Sequence, residues 1–213
     1  MSSLSYERNP AEIYRKSFET IRQEVDLSRF GKGLDQLVIR LIHSCGMVDI
    51  ADDVFFSKDA FTSGRNALEN GAKVFCDVEM VRKGIIPRML PSENEVVCLV
   101  NDPDVPNIAQ KKNTTRSAAQ VDLWKDQLKG SIVSIGNAPT ALFRLLELLD
   151  EGCEKPALII GMPVGFVGAV ESKAELAANP RGVPFVTVAG RRGGSAMAAA
   201  AVNALAGGLN NNG

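Results

Sequence analysis

The chain has 213 residues, which suffices for one domain with a substantial core or for two small ones. Hydrophobic residues make up 45% and charged residues 23%, a balance typical of an ordinary globular protein. The net charge of −1 argues against a general electrostatic attraction to nucleic acid. No apolar stretch approaches the roughly 20 residues of a membrane span. We therefore expect neither nucleic-acid nor membrane partners.

The cysteines and the start of the chain bear on the compartment. Cys45, Cys76, Cys98 and Cys153 are widely spread, form no CxxC motif and are accompanied by a single histidine. This pattern predicts neither a zinc site nor a disulfide framework, but buried and reduced thiols. The first residues, MSSLSYERNPAEIY, lack the apolar run of a signal peptide. We accordingly expect a cytoplasmic protein without a bound metal.

Three helices are predicted at the start of the chain. The first covers residues 9–26, where Asn9 can cap and Pro10 suits the first turn. The second covers residues 33–46, with leucines at helical spacing on one face. The third covers residues 57–71 and ends at a glycine.

After these helices, short apolar runs alternate with helical segments. Runs typical of buried strands occupy residues 73–78, 95–100, 131–136, 156–161 and 184–190, and the intervening helices include residues 114–130 and 139–152. Alternation of this kind predicts an α/β fold: a doubly wound, mainly parallel sheet of about five strands with an N-terminal helical extension. We expect one domain over 1–213, with a disordered tail from about residue 207.

The ends of the predicted strands are the expected place for a ligand, because open parallel sheets bind ligands beyond their carboxyl ends. CDVEMV, GNAPT and GMPVGFVGA follow three of the strands, and GRRGGSA follows the last. There Gly193 and Gly194 precede a helix, and Arg191 and Arg192 add positive charge, which together suit an anion. Turn glycines beside surface arginines would explain the same residues. The common P-loop, GxGxxG and GxSxG motifs do not occur.

His43, the only histidine, lies about 180° from the leucine stripe of its predicted helix. Arg40 shares its face, and that cation would disfavour an imidazolium, while a bound polyanion would favour it. His43 could thus become a proton donor only when an acidic ligand is present. The alternative is that Arg40 and His43 simply mark a solvent-exposed face, and spacing alone favours this alternative.

Seven segments together resemble the precorrin-8X methylmutase family. They are AEIYRKSFETIRQEVDLSRF, RLIHSCG, FCDVEMV, NTTRSAA, SIVSIGNAPTALF, IIGMPVGFVGAVESK and GVPFVTVAGRRGGSAMAAAAVNALA, and the resemblance runs from Tyr6 to about Ala206. It implies an isomerase of cobalamin (vitamin B12) biosynthesis that moves a methyl group from C-11 to C-12 of the precorrin ring. The implied product is hydrogenobyrinate, or cobyrinate from cobalt-precorrin-8. The resemblance also implies a homodimer that needs no cofactor.

The resemblance further implies roles for individual residues. His43 would be the catalytic proton donor to ring C. The implied substrate-binding residues are Ser17, Arg40, Arg116, Asn137, Arg192 and Ser195.

Simpler roles for some of these residues stay open. Ser17 could be a small packing residue, and Arg116 a surface salt-bridge partner. Glu171 and Lys173 are expected on an exposed helix face.

One departure from the family pattern and two other functions also stay open. Ile85 and Ile86 stand where the family often has a threonine, so a hydroxyl contact there is absent or comes from elsewhere. A methyltransferase using S-adenosylmethionine would need a glycine-rich loop after the first predicted strand, and CDVEMV supplies none. A carrier that binds the corrin product without converting it is the other alternative.

Overall fold

The computed structural model describes residues 4–207, so the tail expected to be disordered falls almost entirely outside the described residues. Within this range the helices are α1 (Pro10–Glu24), α2 (Leu34–Cys45), α3 (Ala60–Glu69), α4 (Glu79–Gly84), α5 (Val105–Lys111), α6 (Arg116–Asp122), α7 (Pro139–Asp150), α8 (Ala169–Ala178) and α9 (Ser195–Gly207). The strands are β1 (Val54–Phe56), β2 (Val74–Cys76), β3 (Val96–Val97), β4 (Ile132–Ile135), β5 (Leu158–Gly161) and β6 (Phe185–Val188).

One sheet runs through the described part of the chain in the order β1-β6-β5-β4-β2-β3. All neighbouring strands are parallel except β1, which pairs with β6 in the antiparallel direction. The five predicted strands are β2 to β6, and the mainly parallel α/β prediction is confirmed. The prediction missed the edge strand β1, which has three residues and a half-exposed phenylalanine, Phe55.

Helices cover both faces of the sheet, as the prediction of a doubly wound fold requires. Side chains alternate along the strands: Ile132 packs in the core cluster with α2 and α9, while Val133 and Ile135 pack in the cluster with α7. Along β5, Ile160 and Ile159 divide between the two clusters in the same way. The central strands β4 and β5 are therefore buried on both sides, which is why their sequences are continuous apolar runs.

The N-terminal helices attach to one face of this core. The Asn9 side chain accepts from the Ala11 N–H and caps α1, as predicted. Phe18 and Ile21 bury the inner face of α1, which packs on α2, and α2 packs in turn on α9. In the described range no helix has both the length and the apolar character to cross a bilayer.

Candidate active site

His43 lies in the last turn of α2 and is held by α1. Its side chain is exposed, and its Nδ1 is 2.9 Å from the Ser17 hydroxyl oxygen. The rings of Tyr14 and Phe18 each have their centroid 5.4 Å from the imidazole centroid. Ser17 is thus more than a packing residue, because it fixes one ring nitrogen and leaves Nε2 as the other functional atom.

Arg40 lies one turn before His43, and its guanidinium is largely buried. Only 7% of Arg40 is exposed, and its Cζ is 5.9 Å from the Phe18 ring centroid. The interpretation of Arg40 as a marker of a solvent-exposed face is therefore wrong. Burial lowers the pKa of His43, and the Arg40 charge lowers it further. The free imidazole is consequently biased toward its neutral form.

A buried carboxylate organises the turn between β4 and α7, and the sequence interpretation missed it. Asp77 follows β2 and accepts from the backbone N–H groups of Gly136 (2.9 Å), Asn137 (2.9 Å) and Ala138 (2.7 Å). Burial raises the pKa of Asp77, and the three N–H donors act in the opposite direction. The signal was present as a single acid directly after a buried strand. Asn137 is presented to solvent by this turn.

The start of α9 lies against the same turn. A Cβ on Gly136 would be 2.7 Å from the Ser195 Cα, so only a residue without a side chain permits this approach. A Cβ on Gly193 would be 2.5 Å from the Met162 carbonyl oxygen. The glycines therefore bring Asn137 and the N-terminus of α9 together at the carboxyl edge of the sheet. The N–H groups of a first helical turn have no acceptor within the helix and attract anions.

Arg192 is engaged by two carboxylates in this structure. Its guanidinium donates to Asp49 at 2.6 Å and also to Asp53, both in the 3₁₀ segment Val48–Asp53 that follows α2. These ion pairs connect the loop before α9 to the segment that follows His43. They also hold Arg192 in a fixed place, so one charge at this edge is already partly neutralised.

Lys173 corrects the expectation of an exposed helix face. It lies on α8 with 1% of its surface exposed, and its Nζ donates to the Arg192 carbonyl oxygen at 2.6 Å. The expectation holds only for Glu171, which is exposed. The burial of Lys173 follows from its small neighbours. Helix α8 is rich in alanine, which leaves room for the long Lys173 side chain between the helix and the loop before α9.

Arg116 stands at the start of α6, as predicted, and forms no salt bridge with any residue between 4 and 207. Its guanidinium donates to the Val100 carbonyl at 2.7 Å and to the Asn101 side-chain oxygen at 2.8 Å, both neutral acceptors. A hydrogen bond of 2.7 Å between Thr115 and Thr140 ties this helix start to the helix that follows Asn137. Arg116 is exposed.

A shallow hollow of about 260 Å³ lies between Met47 and the loops that follow β5 and β6. Its lining is Met47, Val164, Gly165, Phe166, Arg191, Arg192 and Gly193. Phe166 is 84% exposed, and the Arg191 guanidinium lies 5.1 Å from its ring centroid. Met47 is four residues after His43 in the sequence, and the other lining residues belong to the loops that follow β5 and β6. Its walls are apolar and its rim is cationic.

The predicted residues thus fall into connected groups at one edge. Ser17, Arg40 and His43 belong to the α1–α2 pair, while Asn137 and Ser195 meet through Gly136. Arg192 lies between these groups. Ile85 is buried in the core rather than at the surface, so the departure from the family pattern there concerns packing. Among residues 4–207, no cluster of three or more His, Cys, Asp or Glu could hold a metal ion.

An apolar hollow, a cationic rim and a single imidazole at the carboxyl edge of a doubly wound sheet define an α/β enzyme for an acidic small molecule. Comparison with known proteins specifies the class further. A family model described as CbiC, precorrin-8X methylmutase, matches residues 12–207. The chain belongs to the precorrin-8X methylmutase family, whose members are methyl-shifting isomerases of cobalamin biosynthesis.

Individual relatives agree with this assignment. The precorrin-8X methylmutase of Pseudomonas aeruginosa is 56% identical over 203 residues, which are 95% of this chain and 98% of the relative. The cobalt-precorrin-8 methylmutase of Priestia megaterium is 40% identical, over 92% of this chain and 87% of the relative. A solved precorrin-8X methylmutase from Thermus thermophilus superposes with a TM-score of 0.82 at 37% identity, covering 92% of this chain and 94% of that one.

Proposed function

We propose that this chain converts precorrin-8X to hydrogenobyrinate by moving a methyl group from C-11 to C-12, and that His43 supplies the proton to ring C. The observation that carries the proposal is the position of the single histidine. His43 is exposed, and its Nδ1 lies 2.9 Å from the Ser17 hydroxyl oxygen. The same edge offers an apolar hollow with a cationic rim. Cobalt-precorrin-8 would give cobyrinate by the same shift.

The hydrogen bond to Ser17 determines which ring atom can act. When the hydroxyl donates to Nδ1, the proton of the neutral ring resides on Nε2. The carboxylates of the substrate offset the charge of Arg40 and favour the imidazolium. A proton placed on the ring C nitrogen withdraws electron density from the conjugated system and lowers the barrier to methyl migration. General-acid help of this kind contributes roughly 10²–10⁴-fold.

The remaining predicted residues serve to hold the carboxylates of the substrate. Arg116 is exposed and, within residues 4–207, donates only to neutral acceptors, so it can still attract an anion strongly. The N–H groups at the start of α9, beside Ser195 and Asn137, suit a second carboxylate. Arg192 supplies a third site for a carboxylate of the substrate. Its positive charge there is partly offset by the ion pairs with Asp49 and Asp53. Fixing several carboxylates orients the ring relative to His43.

We also propose that the protein acts as a cytoplasmic homodimer without an added cofactor. The family resemblance supports the dimer, and exposed apolar side chains such as Val167 (88% exposed) supply surface for one. Analytical ultracentrifugation of the purified protein should give twice the mass of 22.8 kDa. A single species at the monomer mass would contradict the dimer.

The test is a visible-absorption time course of purified protein with precorrin-8X and nothing else added. Wild type should produce the spectrum of hydrogenobyrinate, while His43→Ala should bind the pigment and convert it at least 100-fold more slowly. Ser44→Ala is the matched control, because it removes a hydroxyl one residue away that bonds only to the Leu41 carbonyl. Binding without conversion by wild type would instead indicate a carrier. Equal rates for wild type and His43→Ala would remove His43 from the mechanism.

A further inference from the structure

Lys173 is a buried ammonium outside the groups that the proposed reaction uses. It lies on the inner face of α8, and its stem lines an apolar cavity of about 410 Å³ together with small and apolar residues such as Val170, Ala174 and Ala177. Burying an ammonium in such surroundings is unfavourable, and a methionine would fill the same volume without that penalty. The position of its charged end therefore needs an explanation.

The ammonium of Lys173 contacts the loop between β6 and α9 from the side of α8. Nζ donates to the Arg192 carbonyl oxygen at 2.6 Å. On its other side this loop is held by backbone hydrogen bonds from Gly165 to the Arg191 carbonyl (3.2 Å) and from Gly194 to the Met162 carbonyl (2.9 Å). Lys173 adds a contact from α8 to the middle of the loop, beside the ion pairs of the Arg192 side chain, and the loop leads directly into α9.

The same contact changes the charge balance at this edge. Arg191, Arg192 and Lys173 are three cations, and Asp49 and Asp53 are the two carboxylates bonded to Arg192. Without Lys173 the other four residues have no net charge. With Lys173 the five residues carry one net positive charge. Asp53 is also the carboxylate that acts most directly on Lys173 itself.

We propose that Lys173 is a positioning residue for the substrate: through the Arg192 carbonyl it holds residues 190–194 in place and makes the cluster net positive toward a carboxylate. The proposal rests on the proposed function, since it assumes a substrate with several carboxylates. Lys173 itself does not contact that substrate. Its removal should weaken substrate binding and leave the proton transfer from His43 unchanged.

Burial gives the proposal a pH signature. It lowers the pKa of Lys173 to about 8, while the charge of Asp53 acts in the opposite direction. The ammonium is present below that value and is lost as the pH rises through it. The other charged groups facing the ammonium are Arg192, which remains ionised throughout this range, and its partner Asp49. Substrate binding should therefore weaken between about pH 7 and pH 9.

The experiment measures kcat and KM for precorrin-8X from pH 6.5 to 9.5 with the full-length protein. Lys173→Met should raise KM about tenfold at pH 7, change kcat by less than about twofold, and show no rise of KM through pH 8. Wild type should approach the KM of Lys173→Met at pH 9.5. Lys173→Arg, which stays charged, should show no rise of KM through pH 8.

Ser131→Ala is the matched control for a purely structural effect. Ser131 is buried and donates to the Leu128 carbonyl at 2.8 Å. It directly precedes β4 and so lies at the amino end of that strand, away from the candidate site. It should lower thermal stability and leave KM at every pH unchanged. The proposal is overturned if Lys173→Met has a wild-type KM, or if wild type shows a flat KM profile. The wild-type and Lys173→Arg profiles decide the matter even if Lys173→Met does not fold.

Failure of the proposed function gives a different result. If wild type binds the pigment without converting it, the methyl shift is refuted, and the dissociation constant replaces KM in the same comparison of variants. If wild type binds no precorrin-8X at all, both proposals are refuted. If wild type converts the substrate and Lys173→Met does so with unchanged KM, only the role of Lys173 is refuted.

Discussion

The hydroxyl oxygen of Ser17 lies 2.9 Å from Nδ1 of His43, and this hydrogen bond joins α1 to α2. The two residues are 26 positions apart in the sequence. The rings of Tyr14 and Phe18 also contact the imidazole. Aromatic contacts limit the tilt of the imidazole but do not select a tautomer. Ser17 therefore provides the polar contact that can keep the proton of neutral His43 on Nε2.

Ser17→Ala should lower kcat about 3- to 10-fold, because a hydrogen bond of this kind contributes about 1 kcal/mol to holding the ring. Ser17→Thr keeps the hydroxyl and should retain most of the activity. Thr20→Ala is the control on the same helix, since the Thr20 hydroxyl donates to the Lys16 carbonyl and not to His43. The measurement is the absorption time course at saturating precorrin-8X. A wild-type kcat for Ser17→Ala would show that Ser17 does not orient the catalytic ring.

His43 should titrate below the ordinary histidine pKa of 6.5 in the free protein, since burial and Arg40 both oppose the imidazolium. The chain has one histidine, so a proton NMR titration gives a single imidazole curve. Arg40→Gln should move the midpoint upward, as should saturation with hydrogenobyrinate, whereas Arg22→Gln at an exposed site should not. A midpoint at or above 6.5 in the free protein would contradict this account.

The lowered pKa also sets the sign of a stability effect. Between the folded-state pKa and 6.5, the unfolded chain binds a proton that folded His43 does not. The contribution of His43 to stability is therefore complete above pH 6.5 and decreases as the pH falls toward the folded-state pKa. Urea denaturation of wild type and His43→Ala across this range should converge as the pH is lowered. A difference that is independent of pH would rule out this linkage.

The strands were predictable, and the reasons are local. Strands β2, β4, β5 and β6 are buried on both faces, and β3 is partly buried, so each sequence is an apolar run between turns. The edge strand β1 is apolar too, but its three residues are too short a run to indicate a strand. The helix predicted over 114–130 ends at Asp122, because the chain turns there to bury Trp124 and continues as a 3₁₀ turn.

The site was predictable only in part, because its contacts are not local. The glycine-rich strand ends and the histidine could be identified from residue types. The partners of Arg192 could not, since Asp49 and Asp53 lie 143 and 139 positions away in the sequence. Lys173 was misplaced for a related reason: α8 has a weak apolar stripe, so helical spacing does not reveal which side is buried.

Asp77→Asn should destabilise the protein by about 3 kcal/mol, because hydrogen bonds to a charged acceptor contribute about 1.5–3 kcal/mol each and a carboxamide cannot accept all three. The amide nitrogen would also face a backbone N–H of the turn at Gly136–Ala138. Ser134→Ala removes a buried hydrogen bond from the β4 hydroxyl to the Ala198 carbonyl of α9 and should cost about 1 kcal/mol. Urea denaturation measures both variants. A loss below about 0.5 kcal/mol for Asp77→Asn would mean that the carboxylate does not organise this turn.

Gly136→Ala should separate α9 from the end of β4, because its Cβ would lie 2.7 Å from the Ser195 Cα and 2.8 Å from both the Ala198 Cβ and the Val81 Cγ2. Overpacking of this kind typically costs about 1–3 kcal/mol of folding free energy. The start of α9 must also move, so KM for precorrin-8X should rise more than the loss of stability alone would explain. Gly31→Ala is the matched control, since a Cβ there meets nothing within 4 Å. Urea denaturation and KM measured together on both variants give the comparison. If Gly136→Ala is destabilised but keeps a wild-type KM, then the N-terminus of α9 does not bind the substrate, and the carboxylates must be held by the arginines alone.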